Sequence, residues 1–414
     1  MIMFLRALWP LAASVFILAA PASHAGEPRF GTGFNGAEAQ LKLVFEKVGQ
    51  RQLNAALDEL DRLIARYPNF RLAHLVRGDL LLARAGPIAA LGNTGHAGRE
   101  RLEELRAEAL ARQRAFSGHP VLERVPRYML RLDPKQTHAV VVDASRSRVY
   151  VYENAGEVPR MVEDYYTTIG KYGIEKIREG DQKTPVGVYH VTSKIPGSKL
   201  PDLYGWGAFP ISYPNEWDRL QGKTGFGIWL HGVPSDTYAR APWASDGCVA
   251  LANPDIETLG KRVVPGATPV IIAERVEWVT PHAWRVERDA FMRQLLMWRT
   301  DWESLDTDRY LAHYARGFRS EGMDLRAWRA RKHRVNSGKT WIKVSLDNLS
   351  VLRSPGKQDL VVVTFDQDYR SNNLTQRTRK RQYWVMEDGG WKIAYEAPAR
   401  RSAVALPESF PGRS

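Results

Sequence analysis

The sequence predicts a multidomain α+β protein, and three observations along its 414 residues predict it. Apolar residues recur at helical spacing over residues 36 to 115. Short β-rich runs parted by Gly and Pro turns fill 137 to 274. Helical periodicity followed by four strand-like runs fills 283 to 398. The length suits two or three domains of about 100–200 residues each. With 44% hydrophobic and 10% aromatic residues, each can bury a core.

The chain starts MIMFLRALWPLAASVFILAAPASHA. Arg6 precedes an apolar run over residues 7 to 20, and small residues stand at Ser23 and Ala25. That layout predicts a secretory signal peptide over 1–25, cleaved after Ala25. The run is shorter than the ~20 residues a membrane span needs, and Pro10 and Pro21 interrupt it. No cysteine follows to carry a lipid. The expectation is export to the periplasm, with the glycine-rich GEPRFGTGFNG (26–36) as a flexible start.

Leu53, Ala56, Leu57, Leu60 and Ile64 predict a helix that ends before Pro68. LAHLVRGDLLLARAG predicts a second, ending at Gly86. The pair resembles a single tetratricopeptide repeat. Such repeats need about three copies to stand alone. The helical region 36–125 is therefore expected to be a TPR-like hairpin packed on the next domain.

HAVVVDASRSRVYVYE reads as two strands around a turn at Ser145 to Ser147. VEDYYTTIG, GVYHVTSKI, GFGIWLHG and ATPVIIAE continue the β pattern, which predicts a sandwich or barrel. Beyond 283, helices come first. Runs at 340–352, 359–369, 380–387 and 390–396 then predict an antiparallel meander, with EDGGW as a tight hairpin turn. DRYLAHYA and the closing GGWKIAYE resemble the NTF2-like fold, a cone-shaped sheet wrapped on helices.

Cys248 is the only cysteine. A lone thiol in an exported chain cannot form an internal disulfide and is open to oxidation. It is either a small buried apolar residue or a nucleophile. His231, in GIWLHG, is either a satisfied polar residue or the base that takes the thiol proton. Gly247 permits a tight turn and close substrate approach. The N–H groups around Gly247 and Cys248 are candidates for an oxyanion hole. Ser245 is a candidate for fixing the loop.

The motifs then narrow the choice. His231-Gly232, then S-D-G-C-V at 245–249 with seventeen positions from His231 to Cys248, and KTPVGVY at 183–189 resemble the L,D-transpeptidases of the YkuD family. In that family the motif is S-H-G-C-[IV]. The resemblance covers residues 137 to 274. It implies a mostly-β catalytic domain in which Cys248 is the nucleophile and His231 the general base. It places Gly247 in an oxyanion loop with Ser245 orienting it. It places Gly232, Asp246, Lys183, Thr184, Pro185, Gly187 and Tyr189 at the substrate. The implied reaction is acyl transfer on peptidoglycan stem peptides through a thioester, with transpeptidation expected and water as the alternative acceptor. Asp246 stands where the family usually has histidine, and Ala250 where many members have arginine; both put the acceptor and the stem preference in doubt. The pairing with an NTF2-like domain resembles a subgroup that includes cell-shape L,D-carboxypeptidases of helical bacteria. A non-catalytic wall-binding protein is the rival outside enzymes.

The net charge is +13. For an exported chain this points either to an acidic cell-wall or lipid surface or to solubility alone, and not to nucleic acid. RAWRARKHR (326–334) and QRTRKRQ (376–382) are expected to be solvated faces, with a docking patch as the alternative. The ten histidines lack HExxH spacing, and there is no paired cysteine and no phosphate loop, so neither metal nor cofactor is expected. Trp206, Trp217 and Trp229 are expected to pack in the core, with Trp206 and Trp217 as alternative walls of the cleft. The Gly/Pro-rich segment 196–227 is the candidate lid.

Overall fold

The computed structural model describes residues 36–88, 90–92, 98–117 and 124–399. The expected signal peptide and its glycine-rich sequel through residue 35 lie outside these residues.

Among the described residues four helices come first: α1 (Gly36–Gly49), α2 (Leu53–Arg66), α3 (Arg71–Leu82) and α4 (Arg99–Ser117). The α2–α3 pair is the expected hairpin, and α2 stops just before Pro68. The pair does not stand as a hairpin alone. Leu41 and Val44 of α1 and Ala109 of α4 cover it on the helical side, and Tyr238 and Ala252 of the next domain join the same core.

The central domain packs two larger sheets together, with Ile169–Gly170 and Trp243–Ser245 paired beside them. The larger runs Arg160–Tyr166, Arg148–Glu153, His138–Asp143, Pro269–Ala273, Gly187–His190. The smaller runs Val249–Ala250, Trp229–His231, Gly207–Pro210, Ile195–Pro196. The strand of His138–Asp143 explains the unbroken apolar run Ala-Val-Val-Val. Side chains alternate along a strand. Val140 and Val142 face the smaller sheet, whereas Ala139 and Val141 face the C-terminal domain. A strand covered on both faces has no polar side to show. The turn closing this hairpin places Ser147 at φ 54°.

The C-terminal domain is a seven-stranded sheet folded over the helix Pro281–Glu303. Thr280 caps that helix by accepting the Ala283 N–H, with Pro281 in its first turn. Trp284, Trp298, Trp302, Phe365 and Trp384 fill the space between helix and sheet. The EDGGW turn forms as expected, with Asp388 and Gly389 both at positive φ. The sequence reading missed several strands. One, Tyr314–Ser320, lies at the end of the stretch read as helical and pairs with Gly390–Pro398. Another, Met129–Arg131, precedes the central domain yet pairs with Ile342–Arg353 as the edge of the C-terminal sheet.

The basic run 376–382 is not simply a solvated face. Residues alternate along the strand Leu374–Glu387, so Arg379 and Arg381 point together toward the central domain. Arg379 pairs with Asp133 (3.0 Å) and Arg381 with Glu216 (3.0 Å). Lys380, on the opposite face, pairs with buried Glu396 (2.6 Å). In the other run, Lys332 turns over the ring of Trp328 (4.4 Å).

Candidate active site

The strand Trp229–His231 runs parallel to Val249–Ala250, with Leu230 opposite Val249 and His231 opposite Ala250. One step back in this register sets Cys248 beside Trp229. Partners in register share a face, as do residues two apart on one strand. Cys248 and His231 therefore lie on the same face of neighbouring strands, one diagonal step apart. Seventeen residues of sequence collapse to one strand spacing.

Two contacts hold the thiol. It donates to the Gly227 carbonyl (3.4 Å), and the Trp229 N–H faces the sulfur. The side chain is only partly buried. Desolvation still pushes its pKa up to about 11, with Asp246 adding to the rise and the Trp229 N–H, Lys176 and Arg240 opposing it. His231 is 4% exposed. Desolvation lowers its pKa to about 4, against the pull of the Gly232 carbonyl and with that of Arg240. At neutral pH the pair is thus a thiol and a neutral imidazole. His231 Nδ1 stands 2.6 Å from the Gly232 carbonyl oxygen. A carbonyl only accepts, so Nδ1 carries the hydrogen and Nε2 keeps its lone pair for a proton.

The loop before Cys248 is braced from three sides. Ser245 donates its hydroxyl to the Cys248 carbonyl (2.6 Å) and accepts the Gly247 N–H (3.2 Å). Thr184 donates to the Gly247 carbonyl (2.9 Å) while accepting the Gly170 N–H (2.9 Å). Gly247 sits at φ +119°, and a Cβ there would lie 2.7 Å from the Lys183 carbonyl oxygen. Only glycine fits this turn. Ser245 thus ties the Gly247 N–H to the Cys248 carbonyl across the turn. Gly247 does not offer its own N–H to an oxyanion, because Ser245 already takes that hydrogen.

The KTPVGVY stretch divides. Thr184 and the Lys183 backbone touch the nucleophile loop. Gly187 and Tyr189 lie in the strand Gly187–His190, where Tyr189 is buried and packs edge-on against Tyr213. Gly232 is boxed in, since a Cβ would lie 2.2 Å from Asn253 Oδ1. Asp246 is exposed, and Gln182 Nε2 donates to its Oδ1 (2.6 Å).

The segment 196–227 is not a lid as a whole. Gly207–Pro210 is an inner strand of the smaller sheet, paired on both sides, with Phe209 fully buried. Such a strand cannot swing away without opening the core. Trp217 stacks on Tyr383 of the C-terminal domain, Trp206 packs on Phe209, and Trp229 is buried against Tyr204. All three serve packing. The part that does close on the site is the turn Asp202–Tyr204, whose Tyr204 ring meets His231 edge-on at 5.0 Å.

Sequence reasoning missed Tyr204, Gln182, Lys176 and Arg240. They lie 8 to 72 residues from Cys248 in sequence and carry no spacing signal. Among the described residues, no group of three or more His, Cys, Asp or Glu gathers to hold a metal.

Comparisons with known proteins fit this geometry. Residues 137–272 match the family model of the L,D-transpeptidase catalytic domain, YkuD. Residues 290–397 match that of the Cds6 C-terminal NTF2-like domain. Bd1075 of Bdellovibrio bacteriovorus is similar at 28% identity and TM-score 0.59, covering 67% of this chain and 99% of its own. The helical cell shape determining protein Pgp2 of Campylobacter jejuni superposes at 24% identity and TM-score 0.55, covering 71% of this chain and 99% of its own. The comparison with curated proteins found no match.

Proposed function

We propose that this chain, which joins a YkuD L,D-transpeptidase catalytic domain to an NTF2-like domain as Bd1075 and Pgp2 do, is a peptidoglycan cysteine acyltransferase. The observation that carries the reading is the Cys248–His231 diagonal, with Nδ1 locked on Gly232 and Nε2 left as the base.

Because neither group is charged at rest, the proton moves as the C–S bond forms. Cys248 Sγ attacks the carbonyl carbon of the third residue of a tetrapeptide stem, and its hydrogen passes to His231 Nε2. The intermediate collapses with cleavage of the C–N bond to the terminal D-alanine, whose nitrogen takes the proton back from His231. D-alanine leaves and a thioester remains. An amine of a second stem then attacks, gives its proton to His231, and the thiolate departs to recover that proton. Transpeptidation results.

A second reading has water as the acceptor, giving a tripeptide. Ala250 favours it, since its methyl beside His231 offers no charge to hold an acceptor stem. A role in cell shape is proposed with either acceptor, on the likeness to Pgp2. Export to the periplasm, on the residues 1–25 reading, belongs to the same proposal.

The test is digestion of purified sacculi with the protein and with Cys248→Ala, read by mass spectrometry of the muropeptides. Dimers joined through third residues establish the transpeptidase; tripeptides without dimers establish the hydrolase. Identical profiles for both proteins sink the proposal. His231→Ala is expected to slow D-alanine release by about 10²–10⁴-fold.

A further inference from the structure

The catalytic and NTF2-like domains leave a cavity of about 670 Å³ between them. One wall is the end of the strand Gly187–His190 with the turn 264–267. The other is the strands Ile342–Arg353, Leu360–Ser371 and Leu374–Glu387. Neither Cys248 nor His231 lines it. It also lies outside the cone of the C-terminal sheet, because its wall is the face that carries Arg381 and Tyr383, and Lys380 points to the other face.

Sheet register builds the C-terminal wall. Ser350 stands opposite Thr364 and Thr364 opposite Arg381, which sets three polar side chains in one row across three strands. Arg381 gives Nη1 to Glu216 (3.0 Å) and Nε to Thr364 (3.4 Å). Its Nη2 has no partner among the described residues. Ser350 is 2% exposed, and its hydroxyl has no such partner either. With no protein partner and not sealed in the core, both atoms open onto the cavity. Asp133, the carboxylate that lines the cavity, is already engaged by Arg379 (3.0 Å) and the Lys135 N–H (2.9 Å).

His190 faces this row from the catalytic domain. Ser212 Oγ accepts the His190 backbone N–H (3.1 Å) and lies 3.0 Å from Nδ1. An Oγ that already accepts gives its own hydrogen to Nδ1, so Nε2 carries the ring hydrogen. Burial, then the charge of Arg381, lower the His190 pKa to about 4, which keeps the ring in that neutral form. Nε2 has no partner among the described residues. The free atoms of Arg381, Ser350 and His190 are therefore all donors. Buried donors without an acceptor are costly, and a carboxylate or phosphate accepts from several at once while opposing the charge of Arg381. Val188, Leu352 and Val362 add an apolar wall beside them. We propose that this interdomain cavity is a binding site for a small organic anion, its carboxylate or phosphate head held by Arg381, Ser350 and His190 and a short apolar body lying on Val188, Leu352 and Val362.

The test titrates the full chain by calorimetry with hexanoate, hexyl phosphate, acetate and hexylamine. Hexanoate or hexyl phosphate is expected to bind, about tenfold or more tightly than acetate, which has the head without the body. The tighter of the two names the head group. Hexylamine, the same body with the opposite charge, is expected not to bind. Ser350→Ala is expected to weaken binding of the better anion by about five- to tenfold. Arg381→Lys keeps a cation for Glu216 and gives up Nη2, and is expected to weaken it by about tenfold or more. Thermal melting of each variant reports the fold, and Ser350→Ala, which alters no charge, decides where Arg381→Lys loosens the domain contact. No binding of either anion overturns the proposal, as does equal binding of hexylamine. Unchanged affinity in Ser350→Ala and Arg381→Lys places the ligand elsewhere and overturns it too.

Discussion

The helical region meets the central domain through a buried ion network beside an apolar contact at Tyr238 and Ala252, whereas the NTF2-like domain meets it through a shared strand and stacked rings, with the ion pairs of Arg379 and Arg381 beside them. On the helical side, Glu38 of α1 bridges Arg112 of α4 (2.7 Å) and Arg148 of the larger sheet (3.0 Å), and Arg148 continues to Asp164 (2.6 Å). All four side chains are at most 2% exposed. Arg112 also lies over the Tyr166 ring at 3.7 Å. On the other side, Trp217 stacks on Tyr383 at 5.6 Å, Tyr150 meets Trp278 edge-on at 5.3 Å, and Met129–Arg131 crosses into the neighbouring sheet. Apolar contact tolerates small misfits, but a buried ion network fails when one member is removed. The difference means that the helical region is the part whose docking depends on every charge being in place, and the catalytic and NTF2-like domains act as one body.

The sharpest way to break the comparison is Arg112→Met. It strands Glu108 and leaves Glu38 with Arg148 alone, at an expected cost of about 3–5 kcal/mol to the helical docking. Limited proteolysis is expected to release residues before 124 while residues 124–399 keep their own cooperative melting. Simultaneous loss of the whole chain would show that the two faces are not separable.

Much of this was legible in the sequence, and the exceptions share a cause. Cys248, His231, Gly247 and Ser245 stand within a short window, and the turn that unites them is local. The strands of the meander follow from alternation, also local. The edge strand Met129–Arg131 was not legible, because its partner lies more than 200 residues away and nothing in a three-residue run names it. The lid was misread because Gly and Pro mark turns without saying what lies between them, and Gly207–Pro210 is a short buried strand. The run at 376–382 looked solvated because charge count does not show direction. Only the pleat sends Arg379 and Arg381 to one face and Lys380 to the other.

pH sharpens the comparison further, since the two faces respond with opposite sign. Burial raises the Glu108 pKa to about 7, against the pull of Arg112. Its folded value lies above its unfolded one, so its contribution is full below about pH 4.5 and is lost as pH rises toward 7, in total about 3 kcal/mol. Asp255, raised to about 8 by burial and then by Glu38, acts in the same direction. On the NTF2-like side, burial lowers the His190 pKa to about 4, and Arg381 and Arg379 lower it further. Its contribution is present above the ordinary value near 6.5 and is lost as pH falls toward 4. Hydrogen exchange between pH 4.5 and 7.5 is expected to show α1 and α4 opening more easily as pH rises. Over the same range the strand Gly187–His190 is expected to open less. Glu108→Gln is expected to flatten the first trend and leave the second. Both faces moving together would contradict the assignment.

The smallest expected effect tests how far the second face depends on polar contacts at all. Tyr383 is buried, and its hydroxyl donates to Glu216 (2.8 Å). Arg381 reaches the same carboxylate through both oxygens, at 3.1 and 3.0 Å. Burial works against ionisation of Glu216, yet Arg381 and the hydroxyl together hold its pKa below the ordinary carboxylate value. Tyr383→Phe removes one donor and keeps the ring. The stack on Trp217 survives, and Glu216 stays ionised and paired with Arg381. The expected loss is about 1 kcal/mol, at the low end for a hydrogen bond to a charged group. Chemical unfolding of the 124–399 body measures it. A loss as large as that from Arg112→Met would mean that this face, like the other, is held by a charge network that the stacked rings only surround.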